Sequence, residues 1–157
     1  MAQFGLFGLL LGFASIAVSI ACLLVGDVMR RHGREDAGET LVWGGHVAVI
    51  LTFACLTFCC GVLLYCFLSG DDSILYVVKG RSHQTGPMGQ LFKVAGLWEG
   101  REGSLLFWAW LISLFNAVVA VRNMKATERL DGMALLVSQL VLAGFVGIML
   151  FSQANTP

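Results

Sequence analysis

Charge is what this sequence has least of: 10 Lys and Arg and 10 Asp and Glu in 157 residues, 13% of the chain, with no net charge and no basic tract. That scarcity excludes a nucleic-acid partner, because such binding draws on clustered Lys and Arg set against phosphates. Proline occurs only at Pro87 and Pro157, so the long apolar runs lack the commonest helix breaker and helices through them are expected to be fairly straight. The five cysteines include no CxxC pair, and an odd count argues against a disulfide framework. What remains is hydrophobic: 57% of residues, or roughly 68% once Gly is added and Tyr left out, against ~45–50% in soluble domains. A water-soluble globule needs a polar shell that this composition cannot supply, and the same arithmetic excludes disorder.

Charge-free stretches run from Phe4 to Gly26, Leu41 to Gly70, Ser104 to Val121 and Gly132 to Pro157, and every charged residue lies outside them. The first has 23 residues, which as a helix rises ~34 Å and crosses a ~30 Å hydrocarbon core. The sequence therefore predicts an all-α membrane protein in a single membrane domain over residues 1–157. Four transmembrane helices are expected at about 4–26, 41–69, 104–121 and 132–153, with a long extracytoplasmic loop at 71–103. The third run, with 18 residues, is the tightest fit, extended by Trp108 and Trp110 near its start and Arg122 beyond its end. No positive segment precedes the first run, and Arg30 and Arg31 follow it, so it is expected to be a retained anchor rather than a signal peptide.

Arg30, Arg31, Arg34, Arg122, Lys125 and Arg129 flank the two short connections, against Lys79, Arg81, Lys93 and Arg101 spread over the longer one. By the positive-inside rule the short connections face the cytosol, and both termini and the long loop lie outside it. Along the first span Gly5, Gly8, Gly12, Ser15, Ser19, Cys22 and Gly26 recur at spacings of 3, 4, 3, 4, 3 and 4. Helices in lipid gain no hydrophobic drive from meeting, so a stripe of small side chains marks the face where another backbone comes close. The chain's own second span is preferred over another polypeptide as its partner. Ser113 and Asn116 in the third run and Ser138 and Gln139 in the fourth lie deep enough to need partners, and a hydrogen bond between those two helices is the expected solution.

Cys22, Cys55, Cys59, Cys60 and Cys66 all fall inside spans. Cys55 and Cys59 share a helix face, but structural zinc takes four ligands, so small packing residues are the better account and no metal site is expected. Among the histidines, His46 in Trp43-Gly-Gly-His46 reads as an interfacial residue, while His32 and His83 sit in connections. A histidine ligating haem is expected to need a partner on the opposite axial side and a hydrophobic slot, and no two histidines here pair at helical spacing.

The informative segment is the 33-residue stretch from Asp71 to Gly103, ending in Leu97-Trp-Glu-Gly-Arg-Glu-Gly-Ser-Leu-Leu-Phe-Trp108. Connections of that length without structure are uncommon and tend to be functional. Gly100 and Gly103 permit tight turns, Ser104 can cap the third helix, and Glu102 lies in the favourable field of its N-terminus.

At this motif the sequence resembles the N-terminal portion of the CcmF family, the membrane subunit of the cytochrome c haem lyase. That family carries a pattern like WxGxEGSLLLW before a span, preceded by an acidic start, a Tyr-Val step, a Ser and a Pro. Here these stand as Asp71-Asp72, Tyr76-Val77, Ser82, Pro87, Trp98, Gly100, Glu102, Gly103, Ser104 and Trp108. The tail from Leu150 to Pro157 is similar to the close of the family's fourth span. Phe92 replaces a usual Tyr, and Glu99 and Arg101 also depart from the pattern.

The resemblance implies a component of cytochrome c maturation in the inner membrane. The family receives haem from a membrane-bound haem chaperone and promotes its attachment to apocytochrome c. Its tryptophan-rich haem-handling segment, with a Trp-Asp-Pro core and flanking histidines, lies beyond the region resembled. No catalytic residue and no haem ligand therefore carries over, haem is expected to act through the complex, and whether the chain is an enzyme stays open. The implied partners are the remaining part of a split haem lyase subunit, the haem chaperone, apocytochrome c and membrane lipid. An inactive truncation is the other possibility. Trp98, Gly100, Glu102, Gly103, Ser104 and Trp108 are candidates for docking the haem donor or a partner, weighed evenly against a purely structural corner. The alternative function is a non-catalytic membrane scaffold that binds other helices through the small-residue stripe. A quinone or ion-translocating subunit is weaker, because no span carries an Asp, Glu, Lys or Arg.

Overall fold

The computed structural model describes residues 2–69, 101–124 and 129–154. These form four helices: α1 (Ala2–Arg31), α2 (Glu35–Ser69), α3 (Arg101–Asn123) and α4 (Arg129–Ala154). Each contains a stretch long and apolar enough to cross a membrane: Gln3–Arg31, Glu35–Cys66, Gly103–Asn123 and Gly132–Phe151. Trp98, Gly100, His83 and nearly all of the expected outer loop lie outside the described residues.

The helices are longer than the uncharged runs. α1 continues through Asp27, Arg30 and Arg31, and α2 already begins at Glu35, which leaves only residues 32–34 as a connection. A backbone ladder does not need lipid to persist, and these charges suit the ends they occupy. Arg30 and Arg31 lie at the negative end of the α1 dipole, Glu35 and Asp36 at the positive end of α2. Arg31 also pairs with Asp27 one turn back at 2.8 Å. The reversal is made by Gly33, the one described residue with positive φ, at 79°. Its N–H donates to the Arg30 carbonyl at 3.3 Å and the Arg34 N–H to that of Met29 at 3.1 Å, a Schellman closure that satisfies the last carbonyls of α1.

Each helix packs against two others, in the cyclic order α1, α2, α3, α4, with neighbours antiparallel. Ile16, Leu56, Ala109 and Leu142 share one buried cluster, and Leu23, Val49, Ala120 and Leu135 share another. Going from the first cluster to the second, residue numbers rise on α1 and α3 and fall on α2 and α4. The outward faces carry Phe7, Phe58, Phe115, Ile148 and Phe151, all more than half exposed. Aromatic and aliphatic side chains turned outward along entire helices suit hydrocarbon as the surrounding medium.

Candidate functional site

The small-residue stripe of α1 faces α2. A Cβ built at Gly8 would fall 2.7 Å from Cys59 Sγ, one at Gly12 3.5 Å from Cys55 Cβ, and one at Gly26 3.0 Å from the Gly38 carbonyl oxygen. Ser15 Oγ donates to the Ala48 carbonyl at 2.8 Å, and the Cys59 thiol donates to the Gly5 carbonyl at 3.6 Å. Ser19 is fully buried. Cys55 and Cys59 thus lie under the α1 glycines as packing groups.

The second half of this seam is a stripe on α2. Gly38, Gly45, Ala48, Thr52, Cys55 and Cys59 recur at spacings of 7, 3, 4, 3 and 4, the same signal that marks α1. Gly45 admits Leu23, to within 2.9 Å of where its Cβ would stand, and Gly38 admits the Gly26 carbonyl, to within 2.8 Å. Reading the small residues of both runs together would have located the seam from sequence.

The corner before the third span has a different geometry from the expected one. α3 starts at Arg101, so Glu102, Gly103 and Ser104 are inside its first turn. Ser104 is then not the cap, and Gly103, which is buried, is helical rather than a turn residue. The ladder runs further back because nothing at Gly103 or Ser104 breaks it, and Glu102 still falls where the helix dipole favours an acid. Trp108 points outward, 57% exposed, as a membrane-belt residue does. Trp110 turns inward instead. Its Nε1–H donates to Thr57 Oγ1 at 3.0 Å, and its ring lies beside Phe53 and Phe107 with centroids 6.3 and 6.0 Å away. This link between α2 and α3 was not legible, because two tryptophans at i and i+2 look alike as belt residues.

Ser138 Oγ donates to Asn116 Oδ1 at 2.6 Å, the expected hydrogen bond between the third and fourth spans. Ser113 instead bonds within its own helix, to the Trp110 carbonyl at 2.7 Å. Gln139 is fully buried, and neither polar atom of its amide has a partner among the described residues.

His46 is buried between helices, at 5% exposure, rather than turned outward. The close approach of α1 at Gly45 covers that side of α2. His46 Nδ1 lies 2.7 Å from the Val42 carbonyl, and since a carbonyl only accepts, Nδ1 is the donor of that hydrogen bond. The histidine borders a cavity of 390 Å³ at the Arg30 end of the bundle, lined also by Leu23, Asp27, Val42, Asn123 and Leu136. Haem iron takes axial side chains with open access to the ring plane. Nε2 of His46 is covered on all sides, and His32 sits exposed at the turn with its Nδ1 on the Val28 carbonyl at 2.9 Å. His46, so covered, does not fit a haem ligand. No group of three metal-ligating side chains occurs among the described residues, and no disulfide joins the cysteines among them.

The bundle and its outward faces define a polytopic membrane protein. The chain is 36% identical over 100 residues to the probable cytochrome c-type biogenesis protein NrfE of Escherichia coli, which covers 64% of this chain and 18% of that one. It is 28% identical over 142 residues to the cytochrome c-type biogenesis protein CcmF of Haemophilus influenzae, covering 90% and 22%. It is 31% identical over 146 residues to the cytochrome c-type biogenesis protein ccl1 of Rhodobacter capsulatus, covering 90% and 21%. The chain's homologues are thus cytochrome c-type biogenesis proteins of the CcmF and NrfE kind, and it spans about a fifth of the length of these relatives. No family model matches the chain. No solved structure matches it either.

Proposed function

We propose that the chain works in cytochrome c maturation as the N-terminal part of a haem-lyase-type membrane subunit. In this reading the four helices anchor the subunit in the inner membrane. The segment between α2 and α3, with both termini, lies on the outer side, where haem is handed over and joined to apocytochrome c. The observation that carries the reading is similarity to CcmF over 90% of the chain, together with a Trp98-to-Trp108 motif matching that family's pattern. The haem-ligating histidines come from outside these residues, on whichever polypeptide carries the rest of the family's length. The haem chaperone, apocytochrome c and that remaining portion are the partners.

Trp98, Gly100, Glu102, Gly103, Ser104 and Trp108 form the proposed docking corner, in which Glu102 stands in the first turn of α3 and Trp108 turns outward, an acid and an aromatic of the kind that anchor a partner. Trp98→Ala combined with Glu102→Ala is expected to lower haem-stained cytochrome c by roughly tenfold, the scale of losing a binding hot spot, while the chain stays at normal abundance in the membrane. Unchanged maturation would refute the docking role. A single cysteine placed at position 100 in a cysteine-free background is expected to react with an impermeant maleimide added to intact spheroplasts. Reaction only after lysis would reverse the orientation. The alternative, a non-catalytic scaffold using the small-residue stripe, has less support, because α2 already covers Gly8, Gly12 and Gly26 and leaves open space only at the Gly5 position among the glycines of that stripe.

A further inference from the structure

The core of the bundle is interrupted. One apolar cluster includes Ile16, Leu56, Ala109 and Leu142, and a second consists of Leu23, Val49, Ala120 and Leu135. Between the two, every helix turns a polar side chain inward: Ser19 on α1, Thr52 on α2, Ser113 and Asn116 on α3, and Gln139 on α4. None of these is more than 5% exposed. Ser19 is level with the α4 group, because Phe13 meets the Gly147 position one way along the pair and Leu23 shares a cluster with Leu135 the other way.

Part of this layer is satisfied. Thr52 Oγ1 donates to the Ala48 carbonyl at 2.9 Å, Ser113 Oγ to that of Trp110 at 2.7 Å, and Asn116 Oδ1 accepts from Ser138. Ser19 Oγ, Asn116 Nδ2 and both Gln139 atoms, Oε1 and Nε2, have no partner among the described residues. Buried polar atoms in native proteins are almost all paired, with protein or with ordered water, and hydrocarbon around the bundle offers no substitute.

The chemistry of the unpaired set selects its ligand. Two amide nitrogens donate, one amide oxygen accepts, and one hydroxyl does both. A metal cation would face two N–H groups and no carboxylate, and an anion would face oxygen lone pairs with no cationic side chain in the layer. Water donates twice and accepts twice, and a buried water ordinarily makes two to four such bonds. We infer that the layer formed by Ser19, Asn116 and Gln139 is a buried hydration site, holding water between the two apolar clusters and joining α1, α3 and α4. Bridging water fixes the register of these helices, since sliding one past another would set an amide against hydrocarbon.

The whole chain, 15N-labelled in lipid bilayers, provides the direct test by magnetisation transfer from water protons to the side-chain amides in solid-state NMR. Transfer to the NH2 signals of Gln139 and Asn116 is expected, both assigned by through-bond correlation in the unaltered chain with 13C added to the labelling. The complementary test is thermal unfolding in detergent. Gln139→Met keeps the shape and removes the hydrogen bonds, so it strands the water's other partners and is expected to lower Tm by about 4 °C or more. An amide that was bare would instead give a higher Tm when replaced by an apolar group. No transfer from water in the unaltered chain, or a rise in Tm, would each overturn the site. The NMR arm needs no variant to fold, and neither arm depends on any role in cytochrome c maturation.

Discussion

A valine at position 38 is expected to pull α1 and α2 apart. A Cβ there would lie 2.8 Å from the Gly26 carbonyl oxygen and 3.0 Å from the Arg30 nitrogen, and the reciprocal Cβ at Gly26 would lie 3.0 Å from the Gly38 carbonyl oxygen. These neighbours are backbone, so no side-chain rotation relieves the overlap. The turn at residues 32–34 is too short to let the helices spread so near their junction. Overpacking of this kind costs about 3 kcal/mol or more, which for a chain of this size lowers Tm by roughly 6–12 °C. Gly44→Val is the matched control: it carries the same loss of glycine and gain of a β-branched side chain on the same helix, with nothing within 4 Å of the new Cβ. Thermal unfolding of both variants in detergent, read by reaction of Cys55 and Cys59 with a thiol dye, should show a large shift for Gly38→Val and a small one for Gly44→Val. Equal shifts would mean that the α1–α2 seam is not a backbone contact.

The second large effect concerns the surrounding medium. Phe115 lies near the middle of α3 and is 67% exposed. On a water-facing surface, lysine at that position would be nearly neutral. In hydrocarbon it costs about 3 kcal/mol on the insertion scale, counting the lost phenyl ring, a factor of about 150 in the membrane-inserted fraction. Val121→Lys adds the same charge at the end of the helix, next to Arg122, where the ammonium reaches the interface and the penalty falls to a fraction of that. Glycosylation mapping of α3 insertion is expected to separate the two variants sharply. If both insert alike, lipid does not face that side of α3.

The four spans were legible because a run without charge reports the thickness of the hydrocarbon core. It does not report where backbone hydrogen bonding ends, so α1 and α2 extend into the charged residues around Gly33, and the third helix takes in Glu102, Gly103 and Ser104. The bond from Ser138 to Asn116 could be anticipated because two polar side chains in adjacent spans have few other choices. The buried state of His46 could not, since it depends on how closely α1 approaches Gly45, a property of two sequence segments taken together. The layer around Gln139 was hidden for a related reason: inward direction is fixed by the partners a helix has, and a nearly uniformly apolar helix gives little sign of which side that is. Of the candidate docking corner, the sequence supplied the residues and the family likeness, and the structure adds the helical placement of Glu102, Gly103 and Ser104 and the outward turn of Trp108.

The two halves of the bundle are not held equally. α1 and α2 meet backbone to backbone at Gly26 and Gly38 and are tied by a closed turn, whereas Cβ positions built on Gly132 and Gly144 of α4 meet nothing within 4 Å. The first two helices therefore behave as a single stiff staple that is hard to prise open. The borders of that staple with α3 and α4 rest on side chains, which can repack, so further spans from a larger assembly have a route to wedge in there without undoing the staple.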